Sequence, residues 1–323
     1  MAHPQPDDDA NRLSVDAGGQ GLLAALNGVM PEAPDWFRAA VEAPKEEARV
    51  VVDGAAIHAL AWGERGKPAL LLLHGNGAHA HWWDFIAPFF AKDYRVIAPT
   101  WSGMGDSDWR PRYGVDLCVA EALAAAEALG AFEGPVKPLI VAHSFGGFPA
   151  LAIAADHGDR FRGVVSVDSP VEHPDEDLGG PPSRHKPNRV YPTFDAILAR
   201  FRLAPPQPCD NLFAVDHIAR HSIKETEGGF TWKFDPFIWK DFQDRDPAEL
   251  LRTARCPVAV VWGEQSILMS ARTLSHMRSL SAAGTPFVPI PAAAHHVMLD
   301  QPLAFVTALR GLLSAWPAAA PPR

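Results

Sequence analysis

Residues 139–147 read LIVAHSFGG, and this stretch decides the fold of the chain. An apolar run ends at Ser144, two glycines follow, and an alanine-rich segment continues from residue 148 to residue 156. This order predicts a buried strand, a sharp turn and a helix. A serine on such a turn projects its hydroxyl group beside the backbone N–H groups that begin the helix, and those groups can stabilise an oxyanion. Ser144 is therefore the candidate nucleophile.

Predicted strands and helices alternate along most of the chain. Two β-rich runs around Asp53-Gly54 are typical of a hairpin. Residues 69–73 form a continuous apolar run, as in strands buried on both faces of a parallel sheet. Further strands are predicted at residues 94–99, 139–143, 161–167, 257–263 and 286–290. Helices are predicted at residues 116–130, 148–156 and 270–281, with a last helix that ends at about residue 313. This alternation predicts an α/β fold with a mostly parallel, doubly wound sheet.

The composition favours a globular protein that acts on small molecules. The chain has 323 residues, of which 47% are hydrophobic, so it can bury a sizeable core. Its net charge of −9 argues against nucleic acid or an anionic membrane surface as the main partner. The acidic N-terminus lacks the apolar stretch of a signal peptide, and no apolar run approaches the ~20 residues of a membrane span. We expect a soluble, cytoplasmic protein, and the oligomeric state stays open.

No motif in the sequence indicates a cofactor or a metal. No Gly-x-Gly-x-x-Gly opens a βαβ unit, and residues 63–67 lack the full spacing of a phosphate-binding loop. The pairs His79/His81 and His217/His221 lack a further ligand at a suitable spacing. We therefore expect packed or surface histidines, the second pair on the surface of a helix, and we predict no cofactor and no metal.

Two further stretches of the sequence carry motifs that accompany the serine turn. Residues 74–77 read HGNG and follow a predicted strand, and residues 295–302 read HHVMLDQP and precede the last helix. Together with the serine turn they resemble the α/β-hydrolase superfamily over residues 47 to 315, in particular its esterase-like and lipase-like members with a lid insertion. One departure is Ala142, which stands where the family pattern Gly-x-Ser-x-Gly has its first glycine.

The resemblance implies roles for four further residues. The backbone N–H groups of Asn76 and Phe145 would form the oxyanion hole. His295 would be the general base, which accepts the proton of the serine and returns it to the leaving group. His296 would be its neighbour in the pocket, and an exchange of roles between the two histidines stays open.

The acid of the triad is the point at which the sequence departs most from the family. Most relatives carry it shortly after the strand that ends at Gly263, but Ser266 occupies that place here. Some members place the acid after the strand that follows the nucleophile, and in this chain that residue is Asp168. We favour Asp168. The alternative is Glu264, whose longer side chain starts two residues before Ser266.

The character of the sequence changes between the two parts of the α/β pattern. Residues 171–246 are rich in proline, charged and aromatic residues, as expected of a lid or cap over an active site. We therefore divide the chain into an N-terminal extension (1–46), an α/β-hydrolase core (47–170 and 247–316), a lid insertion (171–246) and a tail (317–323).

These features predict a serine hydrolase that cleaves carboxylic esters. Ser144 attacks the carbonyl group, an acyl-enzyme forms, and water activated by His295 releases the acid. A serine at this turn argues against the chemistry of haloalkane dehalogenases and typical epoxide hydrolases. Two alternatives stay open. One is a C–C bond hydrolase or lactonase with the same Ser144, His295 and Asp168, and the other is a catalytically silent ligand receptor with this fold.

Overall fold

A computed structural model describes residues 21–180, 184 and 186–316 of the chain. The predicted tail at 317–323 and the first 20 residues of the predicted extension lie outside this part. Within it, an eight-stranded sheet forms the centre of the molecule, and two further strands, β7 and β8, pair with each other. The strands are β1 (Glu46–Val52), β2 (Ala55–Trp62), β3 (Ala69–Leu73), β4 (Arg95–Pro99), β5 (Leu139–His143), β6 (Gly163–Val167), β7 (Ile223–Thr226), β8 (Gly229–Trp232), β9 (Val258–Gly263) and β10 (Phe287–Ile290).

The order of strands in the large sheet is β1-β2-β4-β3-β5-β6-β9-β10. Strands β1 and β2 form the hairpin predicted around Asp53-Gly54, and β2 runs antiparallel to β4. All other neighbouring pairs are parallel, which confirms the predicted mostly parallel sheet. Strand β5, which ends in the serine turn, lies between β3 and β6. The loops that follow these three strands therefore meet at one edge of the sheet, where ligands bind in open α/β folds.

Helices cover the sheet and connect its strands. They are α1 (Asp35–Val41), α2 (Val115–Ala128), α3 (Gly147–His157), α4 (Phe194–Leu198), α5 (Leu212–His221), α6 (Pro247–Arg252), α7 (Ala271–Leu280), α8 (Val297–Asp300) and α9 (Pro302–Ala315). The predicted helices at residues 116–130, 148–156 and 270–281 correspond to α2, α3 and α7, with ends that differ by one or two residues.

Strand β3 shows why its sequence is apolar at every position. All of its residues are buried. Leu70 and Leu72 pack into a core on one face of the sheet, and Leu71 and Leu73 pack into a second core on the other face. Successive side chains of a strand point to opposite faces, so a sheet covered by helices on both sides requires apolar residues throughout. Each buried leucine contributes roughly 1.5–3 kcal/mol.

Candidate active site

Ser144 stands where β5 turns sharply into α3. Its backbone φ is 53°, a left-handed conformation that is strained for a residue other than glycine. Close contacts explain the two glycines that follow. A Cβ atom on Gly146 would lie 2.6 Å from the carbonyl oxygen of His74, and one on Gly147 would lie 2.2 Å from Ser169 Oγ. A side chain at either position would therefore disrupt the turn that presents Ser144.

Three residues that are far apart in the sequence meet at this turn. His295, in the loop between β10 and α8, has its Nε2 atom 2.9 Å from Ser144 Oγ. The other ring nitrogen, Nδ1, lies 2.8 Å from Asp168 Oδ1. His295 and Asp168 are buried, whereas Ser144 is half-buried. The serine hydroxyl group can therefore donate to Nε2 while the Nδ1–H group donates to the carboxylate, which is the arrangement that a general base needs.

Asp168 follows β6 and is held by more than the histidine. The hydroxyl group of Ser266 donates to Asp168 Oδ1 at 2.6 Å, and the backbone N–H group of Gly263 donates to Oδ2 at 2.9 Å. Ser266, which stands where most relatives carry the acid, thus donates to the carboxylate of Asp168. The rival acid, Glu264, is exposed, and its carboxylate makes no hydrogen bond within the described part of the chain. The geometry therefore favours Asp168 over Glu264.

The loop at residues 74–77 is fixed by the ring of His74. Burial lowers the pKa of His74 to about 3, so the ring is neutral. Its Nε2 atom accepts from the backbone N–H group of Trp101 at 3.0 Å, which leaves the proton on Nδ1 to donate to the carbonyl oxygen of Gly75 at 2.8 Å. The indole N–H group of Trp101 donates to the carbonyl oxygen of His74 at 2.9 Å. These bonds hold the loop beside Ser144.

The two predicted oxyanion donors lie next to Ser144. Phe145 follows it directly in the turn. A Cβ atom on Gly75 would lie 3.0 Å from Ser144 Cβ, so the loop that continues into Asn76 contacts Ser144. Asn76 also lines a cavity beside the site. Their role as donors stays a prediction, and their positions suit it.

The loop that carries His295 is held by residues that the sequence analysis did not identify. His143 donates from Nε2 to the carbonyl oxygen of His295 at 3.0 Å. The side chain of Gln207 accepts from the backbone N–H group of His296 and donates to Asp300, both at 2.9 Å. Asp300 in turn accepts from the backbone at the start of this loop. The position of His143 beside Ser144 was a signal in the sequence, whereas nothing local marks Gln207.

A cavity of about 320 Å³ lies next to the loops that carry Asn76 and His295. Asn76 and His296 line it, and most of its remaining wall comes from residues 184–239. His296 is buried, and neither of its ring nitrogens has a hydrogen-bond partner among the described residues. The structure thus places His295 against Ser144 and His296 in the neighbouring pocket wall.

Five histidines meet where α5 packs against the loop after β3. This histidine cluster consists of His58, His79, His81, His217 and His221. The expected surface position of His217 and His221 is wrong, because both are half-buried. The ring of His221 stacks on that of His81 with centroids 4.0 Å apart. His217 and His81 both donate to the buried carboxylate of Asp84, at 2.9 and 2.8 Å.

In each of two groups of side chains, three potential metal-ligand atoms lie within 4.8 Å of one another. The first is His143, His295 and His296, and the second is His81, Asp84 and His221. In the first, both nitrogens of His295 belong to the hydrogen bonds with Ser144 and Asp168. In the second, two of the ligands are bonded to each other and the histidine rings are stacked at 26°. Both groups are better described as hydrogen-bonded packing than as coordination sites.

Acidification from pH 7 to pH 5 should destabilise the fold through the histidine cluster. Burial and then the charge of His81 lower the pKa of His58 and of His221, the latter to about 4. Burial also lowers the pKa of His79 well below its usual range. When folding lowers the pKa of a histidine, the unfolded chain binds a proton at a higher pH than the folded chain does. Stability is therefore complete above about pH 6.5 and is lost as the pH falls toward the folded-state pKa.

For His221 alone the expected loss by pH 5 is about 2 kcal/mol. Chemical denaturation at pH 7 and pH 5 measures the loss, and most carboxylates remain ionised in this window. In His221→Gln the difference between the two pH values should be smaller by about 2 kcal/mol. Equal differences in the wild type and the variant would contradict the prediction.

The chain is similar to known hydrolases in sequence and in fold. It is 31% identical to Epoxide hydrolase 4 of Mus musculus over 129 residues, which are 39% of this chain and only 34% of that protein. It is 28% identical to Esterase Rv0045c of Mycobacterium tuberculosis, with 85% of this chain and 92% of that protein covered. The crystal structure of that esterase matches with a TM-score of 0.65 and 22% identity, over 91% of this chain and 97% of the other. Identity to 2-hydroxymuconate semialdehyde hydrolase of Pseudomonas sp. is 37% over 107 residues, 31% of this chain and 36% of that protein.

The family of the chain follows from these comparisons. The sequence pattern of the Alpha/beta hydrolase family matches residues 70–309, and the chain belongs to this family. The predicted superfamily and fold class are thus confirmed. The chain matches only 34% of the length of the epoxide hydrolase, so membership of the family establishes the fold, and the activity is a matter for proposal. No helix of the described part is long and apolar enough to span a membrane.

Proposed function

We propose that the chain hydrolyses carboxylic esters through an acyl-enzyme on Ser144. The observation that carries this proposal is the hydrogen-bonded path from Ser144 Oγ through His295 to Asp168, with distances of 2.9 and 2.8 Å. A serine hydroxyl group is a weak nucleophile at neutral pH unless a base accepts its proton. His295 is placed to accept that proton, and Asp168 is placed to stabilise the imidazolium that results.

The proposed reaction has two halves. Ser144 Oγ attacks the ester carbonyl carbon while its proton passes to His295 Nε2, and the N–H groups of Asn76 and Phe145 hold the oxyanion. The imidazolium then gives its proton to the departing alcohol, which leaves the acyl group on Ser144. In the second half, His295 removes a proton from water as the water oxygen attacks the acyl-enzyme. The imidazolium then returns that proton to Ser144 Oγ while the bond to the acyl group breaks and the acid is released.

Two of the relatives are named for other reactions, and the residues of the site disfavour one of these reactions but not the other. The chemistry of typical epoxide hydrolases is disfavoured because the nucleophile position carries Ser144 instead of a carboxylate. A C–C bond hydrolase remains the second candidate. The similarity to 2-hydroxymuconate semialdehyde hydrolase favours it, and the same Ser144–His295–Asp168 path would serve. Lactone hydrolysis would need no change in the proposed residues.

We also propose that residues 171–246 are a lid over a core formed by 47–170 and 247–316, with 1–46 as an extension. The segment contains α4, α5 and the β7–β8 hairpin, and it supplies most of the cavity wall beside the triad. Trp239 of this segment packs against the ring of Phe145 with centroids 5.3 Å apart. A lid so placed would limit the size of the acyl group.

A panel of p-nitrophenyl esters with acyl chains of two to ten carbons tests both proposals. The wild type should hydrolyse short and medium esters, and a fluorophosphonate probe should label Ser144, as mapped by peptide mass spectrometry. Trp239→Ala should shift the preferred acyl chain toward greater length, because it enlarges the cavity beside Phe145. Trp109→Ala, outside the cavity lining, is the matched control.

Each negative result has a separate meaning. Hydrolysis without labelling of Ser144 would place the nucleophile elsewhere. Hydrolysis with an unchanged chain-length profile in Trp239→Ala would assign that residue to packing within the segment. An absence of both hydrolysis and labelling would remove the ester proposal and lead to ring-cleavage substrates, lactones and finally the silent receptor.

A further inference from the structure

The cavity beside the triad has an unusual balance of charge. Among the residues that line it are Arg184, Arg200 and Arg202, and the only acid among its described lining residues is Asp235. Asp235 is already occupied, because it accepts from the hydroxyl group of Tyr113 at 2.7 Å and from a backbone N–H group at 2.9 Å. The chain as a whole carries a net charge of −9, so this is a local excess of positive charge in an acidic protein.

A second cavity extends the same basic surface. It has a volume of about 540 Å³ and shares Arg184, Tyr191 and Trp232 with the first. Its lining adds Lys186 and Arg189, and it includes no acid among the described residues. An anion that approaches along the shared wall therefore meets basic side chains in both cavities, an arrangement that attracts anions and speeds their encounter with the site.

Two arginines at this surface differ from several others in the chain. Arg110 and Arg245 form ion pairs with Glu121 and Asp156. Arg184 and Arg200, by contrast, form no ion pair with any described residue.

Aromatic rings orient two of the basic side chains. The guanidinium group of Arg184 lies over Phe234, 4.6 Å from the ring centroid, and that of Arg189 lies over Tyr191 at 5.3 Å. Stacking fixes the plane of a guanidinium group and leaves its N–H donors available to a carboxylate.

The cavity also extends to the loops beside Ser144 and His295. Asn76 belongs to the loop that contacts Ser144, and His296, the neighbour of the proposed base, lies in the cavity wall. Between the polar groups the wall is apolar, with Trp82, Leu203 and Ile238 among its residues. An acyl chain with an apolar middle and a charged end matches this lining.

We propose that the preferred substrates are esters whose acyl part carries a second, free carboxylate group, which the basic cavity wall binds. This inference rests on the ester hydrolysis proposed above and names its substrate class. The free carboxylate takes no part in bond breaking. Its contribution is to bind and orient the acyl chain against Ser144, through charge-assisted hydrogen bonds to guanidinium groups.

The test compares two esters of equal chain length. Mono-p-nitrophenyl glutarate and p-nitrophenyl valerate both have five acyl carbons, and only the first carries a free carboxylate. The wild type should prefer the glutarate ester in kcat/KM by about tenfold to a hundredfold, mainly through KM. The ratio should fall toward one in the double variant Arg184→Gln/Arg200→Gln and at high salt. Arg245→Gln, which loses an arginine outside the cavity, should keep the wild-type ratio.

The outcomes separate this inference from the proposed function. A ratio near one in the wild type, or one that the double variant leaves unchanged, would overturn the inference while ester hydrolysis stands. If neither ester is hydrolysed, the proposed function fails, and calorimetry with glutarate decides the inference. Glutarate binding that the double variant loses would support an anion site, and no binding would overturn it.

Discussion

Substitution of Ser144 by alanine should lower kcat for ester hydrolysis by about 10⁴- to 10⁶-fold. The variant lacks the Oγ atom that we propose attacks the carbonyl carbon and that lies 2.9 Å from His295 Nε2. The cavity and the backbone N–H groups of Asn76 and Phe145 stay in place, so substrate binding should persist and KM should change far less than kcat. Steady-state kinetics with p-nitrophenyl butyrate measure both constants.

The matched control is Ser169→Ala. Ser169 is also buried near the turn, but its hydroxyl group donates to the carbonyl oxygen of Val167 at 3.2 Å and takes no part in the path to His295. This variant should retain most of the activity. If Ser144→Ala keeps more than a tenth of the wild-type kcat, the nucleophile is another residue. Thermal unfolding of both variants shows whether the fold is intact.

The serine turn and the sheet could be predicted because their signals are local. A strand buried on both faces is apolar, as in β3 and in β5 up to Ala142, and the glycines after Ser144 are required by contacts within a few ångströms of the turn. The position of His295 could also be predicted, because this residue precedes a helix that begins at a proline. These features each depend on a stretch of about ten residues that the sequence shows directly.

The supports of the site could not be predicted, because they depend on contacts between distant segments. Gln207 reaches the loop of His295 from the inserted segment, and its partner Asp300 lies 93 positions later. Likewise, the sequence predicts His221 on the surface of a helix, yet its ring stacks on that of His81. Helical spacing identifies which residues share a face, but it does not identify the segment that covers it.

The identity of the acid also depends on contacts between distant segments. Asp168 and Ser266 come from the loops after β6 and β9, and neighbouring parallel strands bring these loops together. Asp168 Oδ1 accepts from His295 Nδ1 at 2.8 Å and from Ser266 Oγ at 2.6 Å. Side chains at positions 168 and 266 therefore reach the same point beside the histidine. One carboxylate at either position would serve, and this chain has it at 168, with a hydroxyl donor at 266.

Asp168→Asn should therefore lower kcat by about 10³- to 10⁴-fold, since an amide cannot stabilise the imidazolium and disturbs the tautomer of His295. Glu264→Gln is the matched control and should change kcat little, because Glu264 is exposed. The double variant Asp168→Asn/Ser266→Asp should regain at least about tenfold over Asp168→Asn alone, because it returns a carboxylate to the shared point. Steady-state kinetics of the four proteins on one ester provide the comparison.

The pattern of the four rates distinguishes the possible acids. A large loss in Glu264→Gln with little loss in Asp168→Asn would assign the acid to Glu264. A double variant no faster than Asp168→Asn would mean that the backbone at position 168, whose φ is 48°, orients the carboxylate in a way that position 266 cannot reproduce. Recovery in the double variant would instead show that the loop after either strand can supply the acid while Ser144 and His295 stay in place. The hydrogen bond to His295 Nδ1 would then depend on where the carboxylate lies and not on which loop supplies it.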